Sequence, residues 1–178
     1  WLRVDAALIR DEAGRPLKII AAARVITPER VGQEMLRRSE QSHRLLVALH
    51  DGTRGAREPE RVLREFVRLV GQHFGVNRCT YGEVEASQQD VTVMVDYHAG
   101  TPSLIGRHNL ESFGVAVIDA LRAGQTVVAD DVHADPRTVP SVAAYDALGI
   151  QSFLVVPLVK GTRLVAVMAL ADTGRRQW

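Results

Sequence analysis

One cysteine, six histidines and a scatter of aspartates are the residues of this chain that could do chemistry, and their spacing decides how much. Cys79 stands alone, so no internal disulfide forms and no multi-cysteine metal site can be assembled. It sits in the strand-like run Asn77-Arg78-Cys79-Thr80-Tyr81-Gly82-Glu83, where a lone thiol is expected to be buried as a small hydrophobe. His98, His108 and His133, with Asp96, Asp130, Asp131 and Asp135, are the available metal donors, but no His-x-x-x-His or comparable local pair exists among them. Their carboxylates read instead as turn caps that accept hydrogen bonds from nearby amides, and no metal centre is expected. His43 lies in Ser42-His43-Arg44-Leu45-Leu46, a helical setting suited to a phosphoacceptor. Arg44 occupies the place of the acid that would take its proton, so His43 reads as a solvated helix residue. His50 falls at the end of that helix, where a cation is favoured. With no Ser-His-Asp order, Walker loop or dinucleotide fingerprint, no catalytic residue is expected.

Composition narrows the classes of partner. A net charge of +1 gives no field to attract nucleic acid or an anionic membrane, and neither is expected as a partner. No stretch approaches the about 18 apolar residues of a membrane span, and no signal-peptide pattern is present. A reducing cytoplasm is the expected location. The chain begins at Trp1 rather than methionine, which reads as a piece of a longer protein.

Three segments would position these residues. Over 1–26, Leu2, Val4, Ala6 and Leu8 alternate with Arg3, Asp5 and Ala7, and a turn at Gly14 predicts a β-hairpin. Over 27–57, Thr27 reads as an N-cap with Pro28 at the first helical position of a long connecting helix. Val31, Met35, Leu45 and Leu49 on that helix follow a coiled-coil rhythm that Arg38 and Ser42 interrupt, which fits either pairing of two copies as a parallel dimer helix or a solvated linker packed against its own domain. Over 58–178 the pattern predicts helix, strand, strand, loop, helix, strand, loop, helix, strand, strand: an α+β fold with helices packed on an antiparallel sheet. The first helix carries Val62, Phe66, Leu69, Val70 and Phe74 on one face and ends at Gly75. Cys79, Tyr81 and Glu83 share one strand face, and Val91, Val93, Val95 and Tyr97 share one face of the next strand. Residues 99–109 read as irregular, Ser112 as the cap of a helix over 113–123, and Gly124 as its stop. Phe153–Val159 and Leu164–Leu170 read as a central hairpin covered on both faces, with a bulge near Pro157.

Two resemblances follow from particular motifs. The pattern from Trp1 and Val4 through Asp11, Gly14 and Pro16, then Val25-Ile26-Thr27-Pro28, resembles the last two strands of a PAS sensor domain and its exit helix. Val127-Val128-Ala129-Asp130-Asp131-Val132, Asp135-Pro136-Arg137 and Leu148-Gly149-Ile150-Gln151-Ser152-Phe153 resemble the second half of a GAF domain. Arg78 to Val84, Ser103 to Arg107, Phe113-Gly114 and Leu121 to Gly124 are similar to the GAF domains of bacterial HWE-type sensor histidine kinases.

The GAF resemblance implies a ligand pocket between the sheet and the middle segment. It nominates Tyr97, Arg107, Phe113, Asp131, His133, Arg137 and Tyr145 as ligand-binding residues, and it leaves the cofactor unknown. It further implies a regulatory module of a sensor histidine kinase, relaying a ligand- or partner-induced change through a dimeric connecting helix. A ligand-free dimerisation module is the alternative. A bilin or haem photosensor is the third; bilin attachment is disfavoured because Cys79 lies in the first strand followed by Thr80, and Asp130-Asp131-Val132-His133 does not reproduce the Asp-Ile-Pro motif of bilin binders.

Overall fold

The computed structural model describes residues 2–10, 16–25, 40, 47 and 59–178. The chain divides into two compact units, residues 1–46 and 47–178. In the first, β1 (Leu2–Arg10) pairs antiparallel with β2 (Pro16–Val25), in register from Leu2 opposite Val25 to Leu8 opposite Ile19. This is the expected strand pair. The Gly14 turn lies outside the described residues, as do Thr27, His43, His50 and the proposed pairing seam at Val31, Met35, Leu45 and Leu49. Glu40 and Val47, the described residues between the two units' strands and helices, are both helical.

The second unit begins with α1 (Pro59–Phe74), whose buried face is formed by Val67, Val70 and Gly71 with Leu63 and Phe66 beside them. Phe74, expected on that face, is instead 45% exposed at the helix end. The helix stops where Gly75 takes φ +59°, a left-handed conformation that glycine adopts without penalty. Six antiparallel strands follow: β3 (Arg78–Val84), β4 (Asp90–His98), β5 (Gly106–Asn109), β6 (Val127–Ala129), β7 (Ser152–Lys160) and β8 (Arg163–Asp172). Their spatial order is β5-β4-β3-β8-β7-β6, so the α+β antiparallel sheet read from the sequence is what forms. The pair at the centre is β3 with β8, not the β7–β8 hairpin.

The sheet has two differently covered faces. α1 packs over β4 and β3 on one face, closing a core of Val67, Val70, Cys79, Val95 and Leu170. The other face carries α2 (Val115–Arg122), α3 (Val142–Ala147) and two short 3-10 turns, Leu110–Phe113 and Val139–Ser141. Leu164, Val127, Ile118, Leu121 and Phe153 fill the core beneath them.

Four local expectations are corrected. Gly106–Asn109 is a strand, because the backbone of β5 pairs with Asp90–Val93 of β4 although Gly-Arg-His-Asn has no apolar alternation to announce it. Ser112 does not cap a helix. Its hydroxyl donates to the Asn109 carbonyl within the 3-10 turn, and α2 starts one residue beyond Gly114, whose φ of +98° makes the change of direction. The irregularity expected near Pro157 does form in β7, between Leu158 and Val159, but coverage of β7 on both faces does not hold along its length. β6 pairs with β7 only as far as Val155, so Pro157 sits where β7 has one neighbour, as a residue without an N–H donor requires. Beyond that point β7 is not covered on both faces, and Leu158 is 57% exposed. Finally, Val91, Val93, Val95 and Tyr97 do not share a face. The register with β3 slips at Tyr81/Gly82, where Tyr81 faces Val95 and Gly82 faces Val93, leaving Met94 unpaired as a bulge. Val91 and Val93 consequently point to the α2/α3 side, and Val95 and Tyr97 to α1.

Candidate functional site

A cavity of about 110 Å³ lies between the sheet and the α2/α3 layer. Its floor comes from alternate residues of β3 and β8: Arg78, Thr80 and Gly82, then Val167, Ala169 and Ala171. Small side chains on three of these six positions leave the space, while the roof is bulky, with Phe113, Leu121 and Tyr145. The walls are apolar apart from Arg78, Thr80, His108 and the Tyr145 phenol.

Tyr145 anchors the roof. Its ring stacks on Phe153 with centroids 5.3 Å apart and meets Phe113 edge-on at 5.8 Å. Its hydroxyl donates to the Phe113 carbonyl at 2.6 Å, tying α3 to the first 3-10 turn. Burial is the main cause that pushes the phenol above its ordinary range, so it stays a neutral donor. Arg78 also lines the cavity. It is 2% exposed, and its Nη1 and Nη2 donate to the carbonyls of Leu148 (2.8 Å) and Pro102 (2.9 Å). His108 is a further lining residue, with Nε2 at 2.8 Å from the Leu104 carbonyl; since a carbonyl only accepts, Nε2 carries the proton.

Of the seven residues nominated from the sequence, Phe113 and Tyr145 line this cavity and five do not. Tyr97 lies on the other face of the sheet, against Gly71 of α1, because of the β4 bulge. Arg107 is exposed on β5, where its Nη2 donates to Asp90 (2.7 Å) and Glu85 (3.0 Å). Asp131 accepts the His133 N–H and pairs with Arg175 at 2.8 Å. His133 reaches Asp146 of α3 at 3.0 Å, clipping the loop after β6 to that helix. Arg137 and Asp135 form a two-bonded pair, Nε to Oδ1 at 3.0 Å and Nη2 to Oδ2 at 2.6 Å. That pairing, more than any other cause, holds the Asp135 carboxyl below the usual range. Asp131 and Asp135 each accept an amide N–H two residues on, the turn-capping role read from the sequence. Among the described residues, no three His, Cys, Asp or Glu side chains gather as metal ligands would.

Sequence reasoning passed over Arg78, Thr80 and His108. Strand alternation held the signal for the first two: if Cys79 and Tyr81 face one core, Arg78 and Thr80 face the other. His108 gave none, since the strand carrying it has no pattern. Cys79 is fully buried in the α1 core, on the far side of the sheet from the cavity. Burial pushes its thiol up to about 12. Native protein treated with iodoacetamide at pH 8 should therefore show no added mass, and denatured protein one adduct. Adduct formation in the native chain at the rate of a free thiol would contradict this burial.

The chain matches the GAF domain family over residues 58–178. No curated protein sequence matches it. Among solved structures, it is similar to the phycocyanobilin-bound GAF domain from a cyanobacterial phytochrome, with TM-score 0.65, 16% identity, and coverage of 78% of this chain and 82% of that one. It is similar also to a free methionine-R-sulfoxide reductase from Neisseria meningitidis in complex with its substrate, with TM-score 0.56, 17% identity, and coverage of 73% and 72%. The GAF domain from an Acinetobacter phosphoenolpyruvate-protein phosphotransferase aligns with TM-score 0.55, 16% identity, and 77% of each chain.

Proposed function

The chain belongs to the GAF domain family, and from that premise we propose that it is the sensory module of a signal-transduction protein, in which a small molecule occupies the cavity under Tyr145. The observation that carries this reading is the cavity itself, roofed by two aromatics and floored by three small residues, with one buried charge in its lining. Occupancy biases one of two packings of the α2/α3 layer, and the bias is passed through the sheet to α1 and the segment before it. Pairing of two copies through Val31, Met35, Leu45 and Leu49 would turn that bias into rotation or register shift. A cytoplasmic sensor histidine kinase, with PAS-like strands at residues 1–26 preceding this module, is the parent protein most consistent with the sequence motifs. The chain itself carries no phosphotransfer in this reading.

The bilin of the phytochrome relative is a poor guide to the ligand here. A cavity of about 150 Å³ holds one benzene ring, so about 110 Å³ does not hold four linked pyrroles. A thioether from Cys79 would have to cross the sheet. The interaction-module reading draws on a different observation, the exposed Val156 and Leu158 on the half of β7 that β6 leaves unpaired.

Native mass spectrometry of the purified chain tests the proposal. A dimer that retains or takes up a discrete small mass is expected. A dimer that never gains mass from a pool of cell metabolites would favour the interaction module, and a monomer would remove the paired-helix relay.

A further inference from the structure

Arg78 is a buried charge with no carboxylate at ion-pair distance among the described residues. The residue is 2% exposed, and the two hydrogen-bond acceptors of its guanidinium are neutral carbonyls, at Leu148 and Pro102. Its Nε is buried and has no partner. No carboxylate among the described residues sits at ion-pair distance, although Asp96 opposes from farther away the burial that works against the charge. Arginine keeps its proton in proteins, so the site cannot relieve itself by becoming neutral. A charge compensated only from a distance is costly to bury, and an anion that also fills apolar space would relieve it.

The rest of the lining selects which anion. It contains no Asp or Glu, so an ammonium group would find no partner, which disfavours amines and amino acids. Apart from Thr80, His108 and the Tyr145 hydroxyl, the remaining walls are hydrocarbon and aromatic, so an inorganic ion would leave most of the space unfilled. With about 110 Å³ available against about 150 Å³ for benzene, the apolar part is limited to about four or five carbons. We propose that the cavity takes a short branched-chain carboxylate, its carboxylate seated by Arg78 and Thr80 and its tail between Val93, Ile118 and Phe153. This rests on the sensory reading above and names the class of its signal.

Calorimetric titration of the intact chain with isovalerate, with its neutral isostere isovaleramide and with inorganic phosphate tests it. Isovalerate should bind at least tenfold more tightly than the amide, and phosphate should give no saturable heat. Arg78→Gln should lose at least tenfold in isovalerate affinity. Because Arg78 also ties two loop carbonyls, Ala169→Leu provides the second variant: it keeps the charge, fills the floor and should abolish binding. Equal affinity for acid and amide would overturn the carboxylate assignment while leaving the cavity as a ligand site. Phosphate binding as tight as isovalerate would overturn the tail, and unchanged binding in Ala169→Leu would overturn the location. No heat with any of the three would overturn the ligand class, whereas native mass spectrometry decides the sensory reading separately.

Discussion

Replacing Tyr145 by alanine should destabilise the second unit by about 3–5 kcal/mol, the usual cost of deleting a buried aromatic ring. Tyr145 is 3% exposed, it lies between Phe113 and Phe153, and its hydroxyl ties α3 to the turn before α2. The loss therefore combines the transfer of the ring, two aromatic contacts and a cavity enlarged by the missing side chain. Tyr145→Phe separates these contributions. It keeps the stacking and leaves the Phe113 carbonyl short of one donor, at about 1 kcal/mol. Urea unfolding of the three proteins would read both values from the midpoints, provided the slopes agree. If alanine cost no more than phenylalanine, the roof would be held by the hydrogen bond and not by packing.

The second large effect reverses a general rule. Gly71 lies within α1, where glycine-to-alanine substitution ordinarily gains about 1 kcal/mol of helix propensity. A Cβ at Gly71 would fall 2.2 Å from Cδ1 and 2.9 Å from Cγ of Tyr97. Those atoms belong to the inner part of the ring, close to the strand, and cannot swing aside as the tip of a flexible chain would. Gly71→Ala should therefore cost about 1–3 kcal/mol through displacement of α1 from β4. Gly71→Ala combined with Tyr97→Ala should restore part of the loss, a coupling that a double-mutant cycle measures. A stabilised single variant would mean that α1 does not approach β4 this closely.

Apart from β5, the order of helices and strands over 58–178 was legible because those elements carry their own local signals. The apolar rhythm and Gly75 mark α1, and Val- and Leu-rich runs mark β7 and β8. Where pairing alone makes the structure, the sequence was silent. β5 exists because β4 offers it a backbone partner, and Gly-Arg-His-Asn has nothing else to say so. Phe113 and Tyr145 were nominated by the GAF resemblance, and both line the cavity. Arg107 and Arg137 looked identical to Arg78 as isolated letters, yet near carboxylates pair the first two and only neutral carbonyls meet the third. That difference is a property of what folding brings together, and no spacing encodes it. Tyr97 was misplaced for a different reason, a single unpaired residue that changed the side it faces.

That residue, Met94, gives β4 one position more than the sheet uses. Removing it would bring Val93 next to Val95 in sequence and leave each on the side it already occupies. Removing either Thr92 or Asp96 instead would invert part of the strand, sending cavity valines or Tyr97 to the wrong core. Along this strand the effect of a shortened chain thus depends on where the residue is lost, and Met94 is the place where the count can change without exchanging inside for outside.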